Sequence, residues 1–165
     1  MRIPANNEPL KSDLLLPWVM VGLMLGLLMT YIIICHVLGA QLQQPLPEAE
    51  RVLIRTTFYA VAIATFPLTN LIRHIQLRLN QTMPMPSSEH SVATLAKSRY
   101  LTTIIVSMSL IEVLGVFGLL MFIWGDDFNT LDIFIGLSAL GLFLYRPKHD
   151  EYSEIINAIA AHQHE

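Results

Sequence analysis

The chain has 165 residues, of which 53% are hydrophobic and 14% are charged, and its mean hydropathy is +0.52. Soluble globular domains carry about 25% charged residues, so this composition excludes an ordinary soluble domain and indicates a membrane protein. The net charge is −3, and no basic patch is interleaved with aromatic residues, so we expect no nucleic-acid partner.

Four long apolar runs predict four transmembrane helices, which we expect at about residues 14–37, 52–78, 97–125 and 129–145. A helix needs about 20 mostly apolar residues to span a bilayer, with a lower limit near 17. The fourth run reaches that length only if residues 129–132 form its first turn. Because lipid offers no water to the peptide groups, we expect helices and not open strands.

The first helix is expected to be a retained membrane anchor, because its apolar run is longer than the core of a cleaved signal peptide. Gly22 and Gly26 have the four-residue spacing that lets another helix backbone approach closely. The same spacing also arises by chance in membrane helices, and the sequence leaves both interpretations open.

The second helix carries Ala60 and Ala64 on one face, and Pro67 should bend it. Arg55 lies about one turn inside the expected outer boundary of the membrane. We expect its guanidinium to extend to the membrane surface, since long cationic side chains near helix ends commonly do so.

The third helix carries a single acid, Glu112, in its apolar run. This residue lies near the expected bilayer centre, where a charge costs between about 3 and more than about 10 kcal/mol. Its carboxyl should therefore be protonated, paired or in contact with water. Ser109 lies one turn away on the same face, and Gly115 continues that face outward, so an ion or another helix could come close to the acid.

Two roles for Glu112 agree with the sequence. In the first, Glu112 and Ser109 bind or relay a proton or a sodium ion. In the second, the protonated carboxyl donates a hydrogen bond that fastens the helices together. The possible acceptors for this second role are Ser109, Tyr31, Tyr59 and Asn70.

The stretch LIEVLGVFGLLMFI, residues 110–123, resembles the carboxylate helix of the rotary-ATPase proteolipids, the c-type subunits. Glu112 takes the place of the ion-binding carboxylate, Phe117 that of an aromatic residue, and Gly118 opens the Gly-Leu pair that follows. The second and third helices also resemble the proteolipid hairpin in topology. The resemblance covers a minority of the chain, and two additional helices flank the hairpin. It implies an oligomeric membrane subunit in which Glu112 binds an ion.

The tail after the fourth helix has an apolar stripe at i, i+3, i+4 and i+7, formed by Tyr152, Ile155, Ile156 and Ile159. This spacing predicts a short amphipathic helix. Its polar face is acidic, which favours a protein contact over anionic lipid. We therefore expect a transmembrane domain at 1–145 and a cytoplasmic amphipathic tail at 146–165.

The distribution of Lys and Arg among the connections predicts that both termini lie in the cytoplasm. The basic-rich segments alternate with basic-poor ones along the chain, and we expect the membrane to be a bacterial inner membrane. The basic residues of the expected cytoplasmic side are Arg2, Lys11, Arg73, Arg78, Lys97, Arg99, Arg146 and Lys148.

The residues that could ligate a metal or attack a substrate are scattered. His36 and His74 fall at opposite ends of the expected membrane span and cannot hold one haem, and His162 and His164 belong to the terminal tail. The single cysteine, Cys35, excludes an internal disulfide and a cysteine-based zinc site. We predict no catalytic residue, metal or cofactor, and therefore not an enzyme.

The sequence thus predicts an all-α, proteolipid-like membrane protein that acts as an oligomeric subunit and handles a proton or sodium ion at Glu112. The alternative is a non-catalytic accessory or scaffold subunit of a larger membrane complex, with Glu112 as a structural hydrogen-bond donor and the tail in contact with a cytoplasmic protein. Small residues suited to helix packing are more numerous than one monomer needs, so we expect a homo-oligomer or other membrane subunits as partners. These residues are Gly22, Gly26, Ala60, Ala64, Gly115 and Gly118.

Overall fold

The computed structural model describes residues 15–82 and 92–161, which form five helices and, within those ranges, no strand. The predicted all-α class is confirmed. The expectations for Arg2, Lys11, His162 and His164 concern positions outside the described residues. The helices are α1 (Leu15–Leu42), α2 (Glu48–Thr82), α3 (Val92–Ile123), α4 (Phe128–Leu144) and α5 (His149–Ala161).

Three of the helices, α1, α2 and α3, are long and apolar enough to cross a membrane. The fourth, α4, has 17 residues and meets the same criterion only when it is joined to α5, from which it is bent by 46°. The described residues therefore contain three candidate spans, or four if α4 and α5 count as one. These helices indicate a membrane protein.

The central element of the bundle is α3, which packs against each of the other four helices. Half of its apolar window is buried within the protein, compared with 17% for α1 and 11% for α2. Its buried side chains recur at three- and four-residue intervals and so form one broad face of the helix. They include Tyr100, Ile104, Met108, Ile111, Leu114, Met121 and Phe122.

The turn between α3 and α4 is fixed by the connection between α1 and α2. Gly125 adopts a φ of 88°, and a Cβ at this position would come within 2.8 Å of the Cα of Pro45. Positive φ and this close approach both favour glycine. The backbone N–H of Gln44 donates to the carbonyl of Ile123 at 2.7 Å. At the start of α4, the carboxylate of Asp127 accepts from the backbone N–H of Thr130 at 3.0 Å, which is an N-cap.

The amphipathic tail forms α5, which packs against α2 and α3. Three members of the predicted apolar stripe, Tyr152, Ile155 and Ile159, are at most 1% exposed. The rings of Tyr152 and Tyr100 lie 5.5 Å apart. The apolar face of the tail is therefore covered by helices of the same chain.

Candidate functional site

Glu112 lies on the buried part of α3, and its side chain is 6% exposed. Its neighbours along the helix, Ile111 and Leu114, are fully buried. One turn further on, α1 approaches so closely that a Cβ on Gly115 would collide with Leu28. The close approach of α1 to α3 thus encloses the carboxylate in a largely apolar environment.

Neither carboxylate oxygen of Glu112 has a hydrogen-bond partner among the described residues. This includes all four side chains that the sequence offers as acceptors. Tyr31 lies close enough to interact with Glu112 electrostatically, but the two do not form a hydrogen bond. Tyr59 stacks on Phe134 with ring centroids 4.8 Å apart.

The other two predicted partners of Glu112 are exposed. Ser109, one turn away on α3, lies on the surface of the bundle, and Asn70 lies on the surface of α2. The structure therefore does not bring Glu112 and Ser109 together by a hydrogen bond. The nearby buried hydroxyl of Ser138 donates instead to the carbonyl of Ile111 at 3.0 Å.

The small residues expected in helix packing fall into two groups. Gly115 faces α1, and a Cβ on Gly118 would lie 2.9 Å from the Cβ of Phe134 and 3.1 Å from the carbonyl oxygen of Leu131 in α4. These two glycines therefore lie at contacts within the chain.

The second group faces outward. Gly22, Gly26, Ala60 and Ala64 are exposed, and a Cβ on either glycine would meet nothing within 4 Å. Within the described residues, Gly22 and Gly26 make no close helix contact. All four residues lie on surfaces that another helix could approach.

One end of the bundle is closed by an ion pair between α2 and the α3–α4 turn. The guanidinium of Arg55 donates to the carboxylate of Asp126 at 3.1 Å, and the Asp126 side chain is 6% exposed. Arg51 donates to the carbonyl of Gly125 at 2.8 Å. The sequence predicts that Arg55 extends to the membrane surface. It does not predict the pairing with Asp126, because the two residues are 71 positions apart along the chain.

The opposite end holds a buried arginine, Arg73, which the sequence indicates only as a positive charge on the expected cytoplasmic side. Arg73 donates to Glu151 Oε2 at 2.6 Å and to the carbonyls of Tyr145 at 2.8 Å and Arg146 at 3.5 Å. Its side chain is 6% exposed. The contact joins α2 to α5 and to the backbone between α4 and α5.

Tyrosines reinforce this junction. The hydroxyl of Tyr100 accepts from the backbone N–H of Lys148 at 2.8 Å and lies 3.0 Å from the carbonyl of the same residue. Tyr145 donates to the carbonyl of Phe66 at 2.9 Å, one residue before Pro67. The junction between α4 and α5 is therefore held from both α2 and α3.

Comparisons with protein-family models, with curated proteins and with solved structures found no match. The feature with the clearest chemical capacity is the buried carboxyl of Glu112, which can bind and release a proton or a cation.

Proposed function

We propose that the protein is an integral protein of a bacterial inner membrane in which α1–α4 each cross the bilayer and both termini lie in the cytoplasm. The alternation of basic-rich and basic-poor connections supports this orientation. In addition, α1 and α2 carry many exposed apolar side chains that suit contact with lipid, such as Leu23, Ile33, Leu53 and Ile63.

The proposed position of the membrane follows from two ion pairs, Arg55 with Asp126 and Arg73 with Glu151. Arg55 and Arg73 are 18 residues apart in α2, which is about 27 Å along a helix. The hydrocarbon core of a bilayer is about 30 Å thick. Each pair would lie at one boundary, and aromatic residues flank both, with Trp124 beside the first and Tyr145 beside the second. Interfacial Trp and Tyr are typical of such boundaries.

This placement assigns α4 as the fourth span and α5 as a cytoplasmic helix. The 17 residues of α4 extend about 26 Å, which is near the lower limit for a span. The helix α5 follows the boundary at Arg73 and begins with His149, Asp150 and Glu151, which suit water better than hydrocarbon.

Within this membrane we propose that Glu112 binds and releases a proton or a sodium ion. It lies 12 residues from Tyr100 and 14 from Asp126, and so close to the middle of the bilayer. The observation that carries the proposal is the lack of any hydrogen-bond partner for either buried oxygen among the described residues. A carboxyl that only fastened helices would gain its effect from such a bond.

We further propose that Glu112 acts in an oligomer or a larger membrane complex. The outward-facing Gly22, Gly26, Ala60 and Ala64 offer surfaces where the backbone of another subunit can approach closely. An exchange of ions at Glu112 would then be coupled to movement between subunits, because α1, which carries the first two glycines, also covers the carboxylate.

The alternative is an accessory or scaffold subunit, and the position of Tyr31 favours it. Among the predicted acceptors, Tyr31 interacts electrostatically with Glu112, and a rotation of either side chain would change their separation. In that role the carboxyl would be a permanent hydrogen-bond donor, and its protonation would not respond to pH or sodium.

Labelling with a hydrophobic carbodiimide separates the two functions, because the reagent modifies protonated carboxyls in apolar surroundings. We would label the purified full-length protein across a pH series, with and without sodium, and quantify the modified Glu112 peptide by mass spectrometry. Ion exchange predicts labelling that falls as the pH rises, and protection by sodium if that ion is the ligand. Glu112→Gln is the negative control.

A Glu112 that is unreactive at every pH, or equally reactive at every pH, would contradict the ion-handling function. Tyr31→Phe provides the second comparison. If Tyr31 holds the carboxyl in a structural hydrogen bond, this substitution should increase labelling; if Glu112 exchanges ions, the pH series of Tyr31→Phe should follow that of the unchanged protein.

A further inference from the structure

A cavity of about 380 Å³ opens between α2 and the junction of α4 with α5. It lies next to the buried Arg73 and far along the bundle from Glu112, so it is separate from the proposed ion-binding carboxyl. Two leucines, Leu77 and Leu144, form its apolar walls. Its polar lining consists of Asn70, Arg73, His74, Tyr145, Lys148 and Glu151.

The charges of the lining do not cancel. The single acid, Glu151, is held at Oε2 by the guanidinium of Arg73 at 2.6 Å and by the hydroxyl of Tyr100 at 3.4 Å. The charge of Arg73 is therefore matched by that of Glu151. The ammonium of Lys148 remains as an additional positive charge in the cavity.

Lys148 is placed to serve a ligand. Its Nζ lies 3.9 Å from Glu151 Oε1, which is longer than a hydrogen bond. The side chain is 56% exposed, so its three donors can turn toward the cavity. His74 and Asn70, both exposed on α2, add further hydrogen-bonding groups at spacings of one turn.

We propose that this cavity binds a phosphate group, with Lys148 as the principal cation and His74 and Asn70 as additional donors. Lysine binds phosphate as a compact point charge, and phosphate oxygens accept hydrogen bonds from both imidazole and amide groups. The source of the phosphate is either the headgroup of an anionic phospholipid or a free phosphate ion.

The position of the cavity favours a lipid headgroup as the source. Arg73 lies at the proposed cytoplasmic boundary of the hydrocarbon, where phospholipid headgroups begin. Basic pockets between transmembrane helices on the cytoplasmic side commonly bind anionic headgroups. The walls formed by Leu77 and Leu144 suit the glycerol and the first carbons of an acyl chain.

Native mass spectrometry of the full-length protein, titrated with phosphatidylglycerol or with phosphatidylcholine, tests the proposal. Lys148→Gln removes the cation from the cavity. Arg146→Gln is the matched control, because it removes a charge two residues away whose guanidinium lies over the ring of Phe143, 4.6 Å from its centroid, outside the cavity lining. Thermal unfolding with millimolar inorganic phosphate is measured in parallel.

We expect the protein to bind phosphatidylglycerol more tightly than phosphatidylcholine. In Lys148→Gln the affinity for phosphatidylglycerol should fall about fivefold, which is the effect typical of one cation at a membrane surface. Arg146→Gln should retain the preference. If inorganic phosphate raises the unfolding temperature of the unchanged protein but not of Lys148→Gln, the source is free phosphate. The proposal would be overturned if Lys148→Gln and Arg146→Gln lost affinity for phosphatidylglycerol equally. It would also be overturned if the unchanged protein neither preferred phosphatidylglycerol nor gained thermal stability from phosphate.

Discussion

Arg73 and Glu151 form a 2.6 Å ion pair between residues 78 positions apart in the sequence. The same guanidinium donates to the carbonyls of Tyr145 and Arg146, which lie between α4 and α5. One side chain of α2 therefore fixes both the bend after α4 and the position of α5. Because Arg73 is buried, loss of its partner would leave a charge with little compensation.

Arg73→Gln should destabilise the protein and release the tail. Removal of one partner of a buried ion pair typically costs about 3–5 kcal/mol, and here two carbonyls also lose a donor. Thermal unfolding in detergent measures the stability, and limited proteolysis of residues 146–161 measures release of α5. Arg78→Gln, at an exposed position of the same helix, is the control. If Arg73→Gln and Arg78→Gln had equal thermal stability and equal rates of proteolysis, the role assigned to Arg73 would be contradicted.

The pairing of Arg73 with Glu151 could not be predicted from the sequence, although both α2 and α5 could. Apolar periodicity identifies α5 because Tyr152, Ile155 and Ile159 repeat at helical spacing. Periodicity within a helix does not indicate which distant helix covers its apolar face. In the structure, the helices that cover this stripe are α2 and α3 of the same chain.

Arg55 and Asp126 should show a measurable coupling energy in a double-mutant cycle. The pair is 3.1 Å long, and Arg55 is 35% exposed, so we expect about 1 kcal/mol, at the upper end for partly solvated pairs. The variants are Arg55→Gln and Asp126→Asn, and the measurement is the unfolding free energy of each. A parallel cycle of Arg55→Gln with Asp127→Asn should give coupling near zero, since Asp127 caps α4 instead. Similar coupling energies in both cycles would contradict a specific interaction between Arg55 and Asp126.

Gly118→Ala should destabilise the contact between α3 and α4. The added Cβ would meet the Cβ of Phe134 at 2.9 Å and the carbonyl of Leu131 at 3.1 Å, and neither atom is at the flexible end of a side chain. Overpacking of this kind costs about 1–3 kcal/mol, which thermal unfolding can measure. Gly22→Ala is the control, because its Cβ would meet nothing within 4 Å. If Gly118→Ala were as stable as Gly22→Ala, the close packing assigned to Gly118 would be contradicted.

Gly22→Leu combined with Gly26→Leu tests the proposed oligomer. If another subunit packs on this face of α1, the bulky side chains should prevent close approach and reduce the oligomeric fraction without altering the stability of the monomer. Light scattering of the purified protein measures the subunit number. Gly136→Leu, at another position with open space around it, is the control. A protein that is monomeric before any substitution would contradict self-association.

The isolated acid in an apolar run marks Glu112 as a candidate residue, but it does not predict which residues surround it. Ser109 and Glu112 are three residues apart, and a separation of three places two side chains about 60° apart around a helix. That angle is enough for Glu112 to be buried while Ser109 lies on the surface. The helix that packs beside Glu112 is α1, and it can approach because Gly115 has no side chain and leaves room for Leu28. Sequence spacing contains no information about that contact.

Glu112→Met should stabilise the protein if the carboxyl is kept for ion exchange and not for structure. A buried polar group without a partner typically costs about 1–3 kcal/mol, and methionine fills a similar volume without polar oxygens. We therefore expect a higher unfolding temperature, with loss of carbodiimide labelling. Ser138→Ala is the comparison, since it removes a buried hydrogen bond that is present, to the carbonyl of Ile111, and should lower stability by about 1 kcal/mol. If Glu112→Met lowers stability as Ser138→Ala does, the carboxyl makes a structural hydrogen bond, and the accessory-subunit role is the better account.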